Sequence, residues 1–152
     1  VYAVRISGKN SFLSLAEVEV HGHVNAGLLY GTASQSSVYF NQAYALPITA
    51  VDGNYDPLLP MQTDVGDTDA WWQLDLNVGS LGASVFKVVI FFGGIVSQIH
   101  LDDATVDLLD QAGNVLSNRT VETYDAATGY ATDLAYESVE FGLVPGVYSV
   151  KI

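Results

Sequence analysis

The two ends of this chain carry the same strand. Val1-Tyr2-Ala3-Val4-Arg5-Ile6 returns as Val147-Tyr148-Ser149-Val150-Lys151-Ile152, with four identities and two conservative changes. Recurrence of this kind is the mark of a tandem array, sampled over one period and just past the point where the next begins. A free-standing enzyme has no need to begin and end on one strand. The expectation is therefore one link of a repetitive, fibrous or cell-surface molecule. The opening residues include neither a Met nor a signal peptide, as in a processed or partial chain.

The residues between the two copies read as β throughout. Residues 16–20 alternate apolar with acidic. Val85-Phe86-Lys87-Val88-Val89-Ile90-Phe91-Phe92 is dense in β-branched and aromatic side chains, the pattern of a strand buried on both faces. Residues 104–109, the turn-rich Asp110-Gln111-Ala112-Gly113-Asn114 and Val115-Leu116 predict a hairpin. Residues 136–141 alternate again, and residues 147–152 close the series. A short helical turn is expected near residues 42–45, and no window shows a clean helical period. The class is all-β, a sandwich or barrel, and 152 residues suffice for one domain with a substantial core. Long loops, chiefly residues 51–70, are where binding groups of such a fold tend to sit.

Charge and cysteine content narrow the functions. Five Lys/Arg stand against 17 Asp/Glu, a net charge of −12. Nucleic acid and anionic membranes would be repelled, and no apolar run approaches the ~20 residues that span a bilayer. Cysteine is absent, which removes disulfides and thiol chemistry. No serine has a nucleophile elbow, no glycine loop cradles phosphate, and no carboxylate pair stands out for acid/base work, so no enzyme is expected. Asp52-Gly53-Asn54 is a tight turn that sets a carboxylate beside backbone carbonyls. That suits calcium, which takes six to eight hard oxygens, and it equally suits a plain turn.

Four ordered segments carry a resemblance. They are Ser14-Leu15-Ala16-Glu17-Val18-Glu19-Val20-His21-Gly22, Gly31-Thr32-Ala33-Ser34-Gln35-Ser36-Ser37, Ala50-Val51-Asp52-Gly53-Asn54 and Ala70-Trp71-Trp72-Gln73-Leu74-Asp75-Leu76. Together they resemble the discoidin, or coagulation-factor 5/8 type C, superfamily, which includes F-type lectins and galactose-type carbohydrate-binding modules. The resemblance implies a jelly-roll β-sandwich of about eight strands. In that family the Ala-Glu-Val-Glu-Val-like strand closes the domain, whereas here it comes first. Residues 1–22 then look like the closing hairpin of a preceding repeat and residues 23–152 like the sandwich itself. Circular permutation of one domain is the competing account. Under the repeat account Leu15, Val18 and Val20 form an inter-repeat strand that pairs mainly with a neighbouring unit.

By resemblance, calcium would be held by the Thr49 and Asn54 carbonyls, the Asp52 carboxylate, an oxygen near Gln62 or Thr63, and Glu17. The fucose pattern of the lectins fails here. Asp64 stands about where a histidine is required, and the segment from Phe92 to His100 has no arginine or lysine, so the bidentate donors are missing. Another sugar would have to use Tyr55, Gln62, Asp64 or Gln98.

Trp71 and Trp72 should point to opposite faces of a strand, one of them into the core. Asp64, Asp67 and Asp69 read as an acidic solvated loop or a second cation site. His21 and His23 share a strand face, as a zinc pair would, without a third His or Cys nearby. Asn118-Arg119-Thr120 is an N-glycosylation sequon, expected in a loop and in keeping with secretion. The sequence thus predicts a non-catalytic, calcium-stabilised repeat of an extracellular fibre or cell-surface protein, its partners being like repeats joined head to tail by strand exchange or tight contacts. The alternative is a calcium-dependent, glycan-binding adhesion module.

Overall fold

Alternation along the apolar runs places one row of side chains inward, and two sheets close on those rows. The computed structural model describes residues 1–9, 11–23, 27–28, 31–78, 82–92, 101, 103–121, 124–125, 130–131 and 136–141. Within them the strands are β1 (Ala3–Ser7), β2 (Ser14–His23), β3 (Gly27–Leu28), β4 (Gly31–Gln35), β5 (Met61–Gln62), β6 (Trp71–Leu76), β7 (Ser84–Phe92), β8 (Thr105–Leu109), β9 (Val115–Thr120), β10 (Tyr124–Asp125), β11 (Tyr130–Ala131) and β12 (Tyr136–Glu140). One sheet runs β4-β6-β1-β8-β9, the other β12-β7-β2-β3 with β5 also on β2, and β10 pairs with β11 alone. Pairing in both main sheets is antiparallel. The protein is an all-β sandwich.

The core is continuous between the sheets. Val4 and Ile6 of β1, Trp72 and Leu74 of β6, and Val106 and Leu108 of β8 meet Val18 and Val20 of β2 and Val88 and Ile90 of β7. β7 buries Val88, Ile90 and Phe92 on one face and Val89 on the other, while Phe86, Lys87 and Phe91 keep partial exposure. The expected two-faced burial therefore holds only in part, and the outer face of that sheet remains available to loops. The hairpin β8–β9 forms where the turn residues put it. Asp110 caps its turn by accepting the Ala112 and Asn114 N–H groups, each at 2.8 Å. Three short 3-10 turns, Tyr39–Asn41, Ala43–Ala45 and Pro47–Val51, occupy the region after β4.

Residues 1–22 are not an appendage. β1 is the middle strand of its sheet, between β6 and β8. β2 pairs along its length with β7 of the same chain, with Leu15 opposite Phe92, Val18 opposite Ile90 and Val20 opposite Val88. The expectation that residues 15–20 pair mainly with a neighbouring unit is thereby corrected: this chain closes its own sheet with them. Burial explains the preference. Leu15, Val18 and Val20 are at most 3 % exposed, and each such side chain gains roughly 1.5–3 kcal/mol from leaving water. The loop expected around the sequon is corrected too, since Asn118 lies in strand β9 and donates its amide to Asp107. Residues 147–152 lie outside the described residues.

Candidate functional site

Glu17 and Glu19 are two apart on β2 and opposite Phe91 and Val89, so both rise from the outer face of the sheet. The Asp52–Asp56 loop crosses this face. It follows a 3-10 turn over Pro47–Val51, and Gly53 at φ 80° lets it reverse direction. The two glutamates hold the loop at two points. The Gly53 N–H lies 3.3 Å from both oxygens of Glu17, and the Tyr55 hydroxyl donates to Glu19 at 2.6 Å. Tyr55 also packs edge-on against Phe91, which in turn meets Tyr136.

The two carboxylates differ in environment. Glu19 is held below the usual carboxylate range by the Tyr55 hydroxyl, with help from the His21 ring 2.9 Å away and the charge of Lys87. Glu17 is only 5 % exposed and is pushed up to about 7. Burial is the main cause; the Gly53 N–H opposes it, and the charges of Asp52 and Glu19 add to it. No cation counters it among these groups. A buried carboxylate beside two further acids is a costly arrangement unless a cation joins it.

Of the six expected calcium residues, the structure brings Glu17 and Asp52 together through the Gly53 turn. Side chains and carbonyls of several of these residues tie loops down. Asp52 Oδ1 accepts the Asn54 N–H at 2.8 Å. The Thr49 hydroxyl donates to the Leu46 and Tyr44 carbonyls, the Gln62 carbonyl accepts from Gln35, and the buried Thr63 hydroxyl accepts from the Leu13 N–H. Among the described residues no group of three or more His, Asp or Glu forms a ready metal cluster. Glu17 and Asp52 are the two carboxylates of the expected set that come together, and each faces a backbone N–H, that of Gly53 and that of Asn54 respectively.

The other expected residues fall as follows. Asp64 donates its N–H to Ser37, and Asp67 accepts the Ser36 and Ser37 hydroxyls at 2.5 and 2.6 Å. The acidic loop is therefore braced by serines. Trp72 is fully buried and donates its indole N–H to the Pro47 carbonyl at 3.0 Å, while Trp71 is partly exposed. A bulge after His21 interrupts the alternation toward His23. Gln98 lies outside the described residues. Two functional contacts were missed from sequence. One is the Glu19–Tyr55 clasp, for which the paired glutamates on one strand face were the available signal. The other is Gln35, whose amide faces the Ser37, Ala45 and Gln62 carbonyls and ties three loop segments together.

The fold and site define an antiparallel β-sandwich with a loop-covered acidic patch on one sheet. No family model matches the chain, and no curated protein or solved structure matches it significantly.

Proposed function

We propose that the chain is a non-catalytic repeat module of an extracellular fibre or cell-surface protein, discoidin-like and calcium-stabilised. One observation carries the reading: the recurring hexapeptide corresponds to β1, the middle strand of a buried sheet, and not to a linker. Val1, Val4 and Ile6 are at most 2 % exposed, and all three recur unchanged at 147, 150 and 152. A segment repeated with its core positions intact is a structural unit repeated. Joining by exchange of residues 15–20 is no longer needed, so contacts between closed sandwiches are the simpler link. The loops between β4 and β6 leave Phe40, Ile48, Leu58 and Val65 more than half exposed, apolar area that a neighbouring unit would cover. Calcium at Glu17 and Asp52 would neutralise the patch and fix the loop to β2.

A second reading, the glycan-binding adhesion module, is favoured by Tyr55 and Tyr136. Both are close to half exposed and both meet Phe91, and Tyr55 bonds Glu19; an aromatic face next to a carboxylate suits a sugar ring. Electron microscopy of the native material tests the first reading: a regular bead-like period, with intact-mass data showing many units per chain, supports it. Isolated particles of one unit that light up a glycan array would replace it with the second.

A further inference from the structure

The outer face of the β4-β6-β1-β8-β9 sheet carries an unbroken polar row. Ser34 stands opposite Gln73, Gln73 opposite Arg5, Arg5 opposite Asp107 and Asp107 opposite Asn118, and side chains paired in this way share a face. Their strand neighbours Val4, Ile6, Trp72, Leu74 and Leu108 are buried, so the row faces outward. Across five strands it spans about 19 Å. Trp71 lies on the same face two residues from Gln73 and keeps partial exposure. We infer that this row binds a neutral glycan chain laid across the strands, with the Trp71 indole under one sugar ring and Arg5 as the main hydrogen-bond donor. Tyr55 and Tyr136 pack on β7 of the other sheet, so this is a separate site and it stands without the readings proposed above.

Three observations converge. First, Arg5 has donors to spare. Among the described residues its guanidinium has only Asp107, at 3.7 Å, which is an ion pair and too long for a hydrogen bond. Its Nε is buried without a partner, while a third of the side chain stays exposed. A guanidinium fork held in the middle strand with its terminal nitrogens unfilled matches two adjacent hydroxyls. Second, the groups beside it are already set in place. Asn118 donates its amide to Asp107, and Gln73 donates to Asp75 at 2.6 Å. Donors and acceptors fixed before binding cost little to order, and each sugar hydroxyl can use one of each. Third, charge and composition select the occupant. Arg5 against Asp107 and Asp75 leaves the face negative in a chain of net charge −12, which rejects sulfated and other acidic glycans. One indole in a polar row lacks the apolar centre that a protein partner would bury, whereas a flat aromatic ring flanked by a few fixed polar groups suits a sugar.

The test runs the whole chain through native gels containing a neutral galactan, a mannan, a β-glucan or a sulfated galactan, and then titrates it with fragments of the polymer that retards it. At least one neutral polymer should retard the parent, and the sulfated galactan should not. Trp71→Ala should weaken binding roughly tenfold or more. Arg5→Lys keeps the charge and loses the fork, and it should weaken binding by about tenfold. Both variants should keep a cooperative thermal transition; Arg5→Lys decides the matter if Trp71→Ala does not fold. Binding should also change the tryptophan fluorescence of the parent and leave that of Trp71→Ala, which retains Trp72, unaltered. The inference is overturned if no neutral polymer retards the parent, or if the sulfated galactan retards it most. It is equally overturned if the folded variants bind as the parent does, or if Tyr136→Ala abolishes binding that Trp71→Ala leaves intact, which would put the sugar on the other sheet.

Discussion

Two buried carboxylates, one on each sheet, have been treated differently by this sequence. Asp107 of β8 is 7 % exposed and receives the Arg5 guanidinium from β1 and the Asn118 amide from β9. Its partners come from the strands on either side, and the chain completes the site itself. Glu17 of β2 is 5 % exposed, faces the Gly53 N–H and stands among acids. Its strand neighbour Glu19 is compensated by Tyr55, His21 and Lys87; Glu17 has backbone N–H groups but no cation to set against its burial. A chain that solves the same problem at Asp107 and Glu19 leaves it open at Glu17. In a molecule of net charge −12, the calcium ion proposed above would supply the missing charge.

The largest effect should come from removing the unmatched charge. With its folded-state value at about 7 against an ordinary 4.5, Glu17 binds a proton more tightly in the folded than in the unfolded chain. Its contribution to stability is then best below about pH 4.5, falls as pH rises to about 7, and stays low above that. In excess chelator the parent should lose on the order of 2–3 kcal/mol through this window, and Glu17→Gln should not. Denaturant titrations at a series of pH values measure the difference. Equal pH dependence in the two proteins would show that Glu17 is not the uncompensated group.

The complementary change at Asp107 should be smaller. Arg5→Met leaves that carboxylate with the Asn118 amide alone, but Arg5 is one-third exposed, so water softens the loss to about 1–2 kcal/mol. For a chain of this size that lowers Tm by roughly 3–8 °C. Arg5→Lys, the residue found in the second copy, should recover most of it. If Met and Lys behave alike in a thermal scan, the ion pair contributes nothing and the contrast between the two acids collapses.

The smallest expected effect lies in the clasp. Tyr55→Phe keeps the ring against Phe91 and removes one hydroxyl bond to Glu19, a loss of about 1 kcal/mol. Its sharper signature is local, a faster exchange of the Gly53 amide proton with the rest of the sandwich unchanged. Unaltered exchange at Gly53 would mean that Glu17 alone holds the loop.

What was legible in the sequence follows from range. The period of two in β2 and β12, the dense β-branched and aromatic run of β7 and the turn over residues 110–114 are local patterns, and they mark the strands and the hairpin correctly. The Asp52-Gly53-Asn54 turn was legible for the same reason, because glycine alone makes a φ of 80° easy. The destination of β1 was not legible, since its partners β6 and β8 lie far along the chain and no local signal names them. The closure of the sheet by β2 was hidden likewise: the strand order expected of the resemblance sent residues 15–20 to a neighbour, whereas they pair with β7 of the same chain. Asn118 was misplaced because a polar edge strand such as β9, mostly exposed, has the composition of a loop. The paired use of Glu17 and Glu19 needed the loop's path across the sheet, which only tertiary structure supplies.

Calcium binding by calorimetry tests the account at its centre. Titrations of the parent and of Glu17→Gln at pH 7, each in two buffers of different ionisation enthalpy, report binding and proton release together. The account predicts saturable binding by the parent, with a fraction of a proton released because the ion selects ionised Glu17, and loss of both in Glu17→Gln. Calcium at ~100 times its dissociation constant should also add about 2.7 kcal/mol of stability. Absence of binding heat in the parent, with a melting curve unmoved by excess chelator, would contradict it.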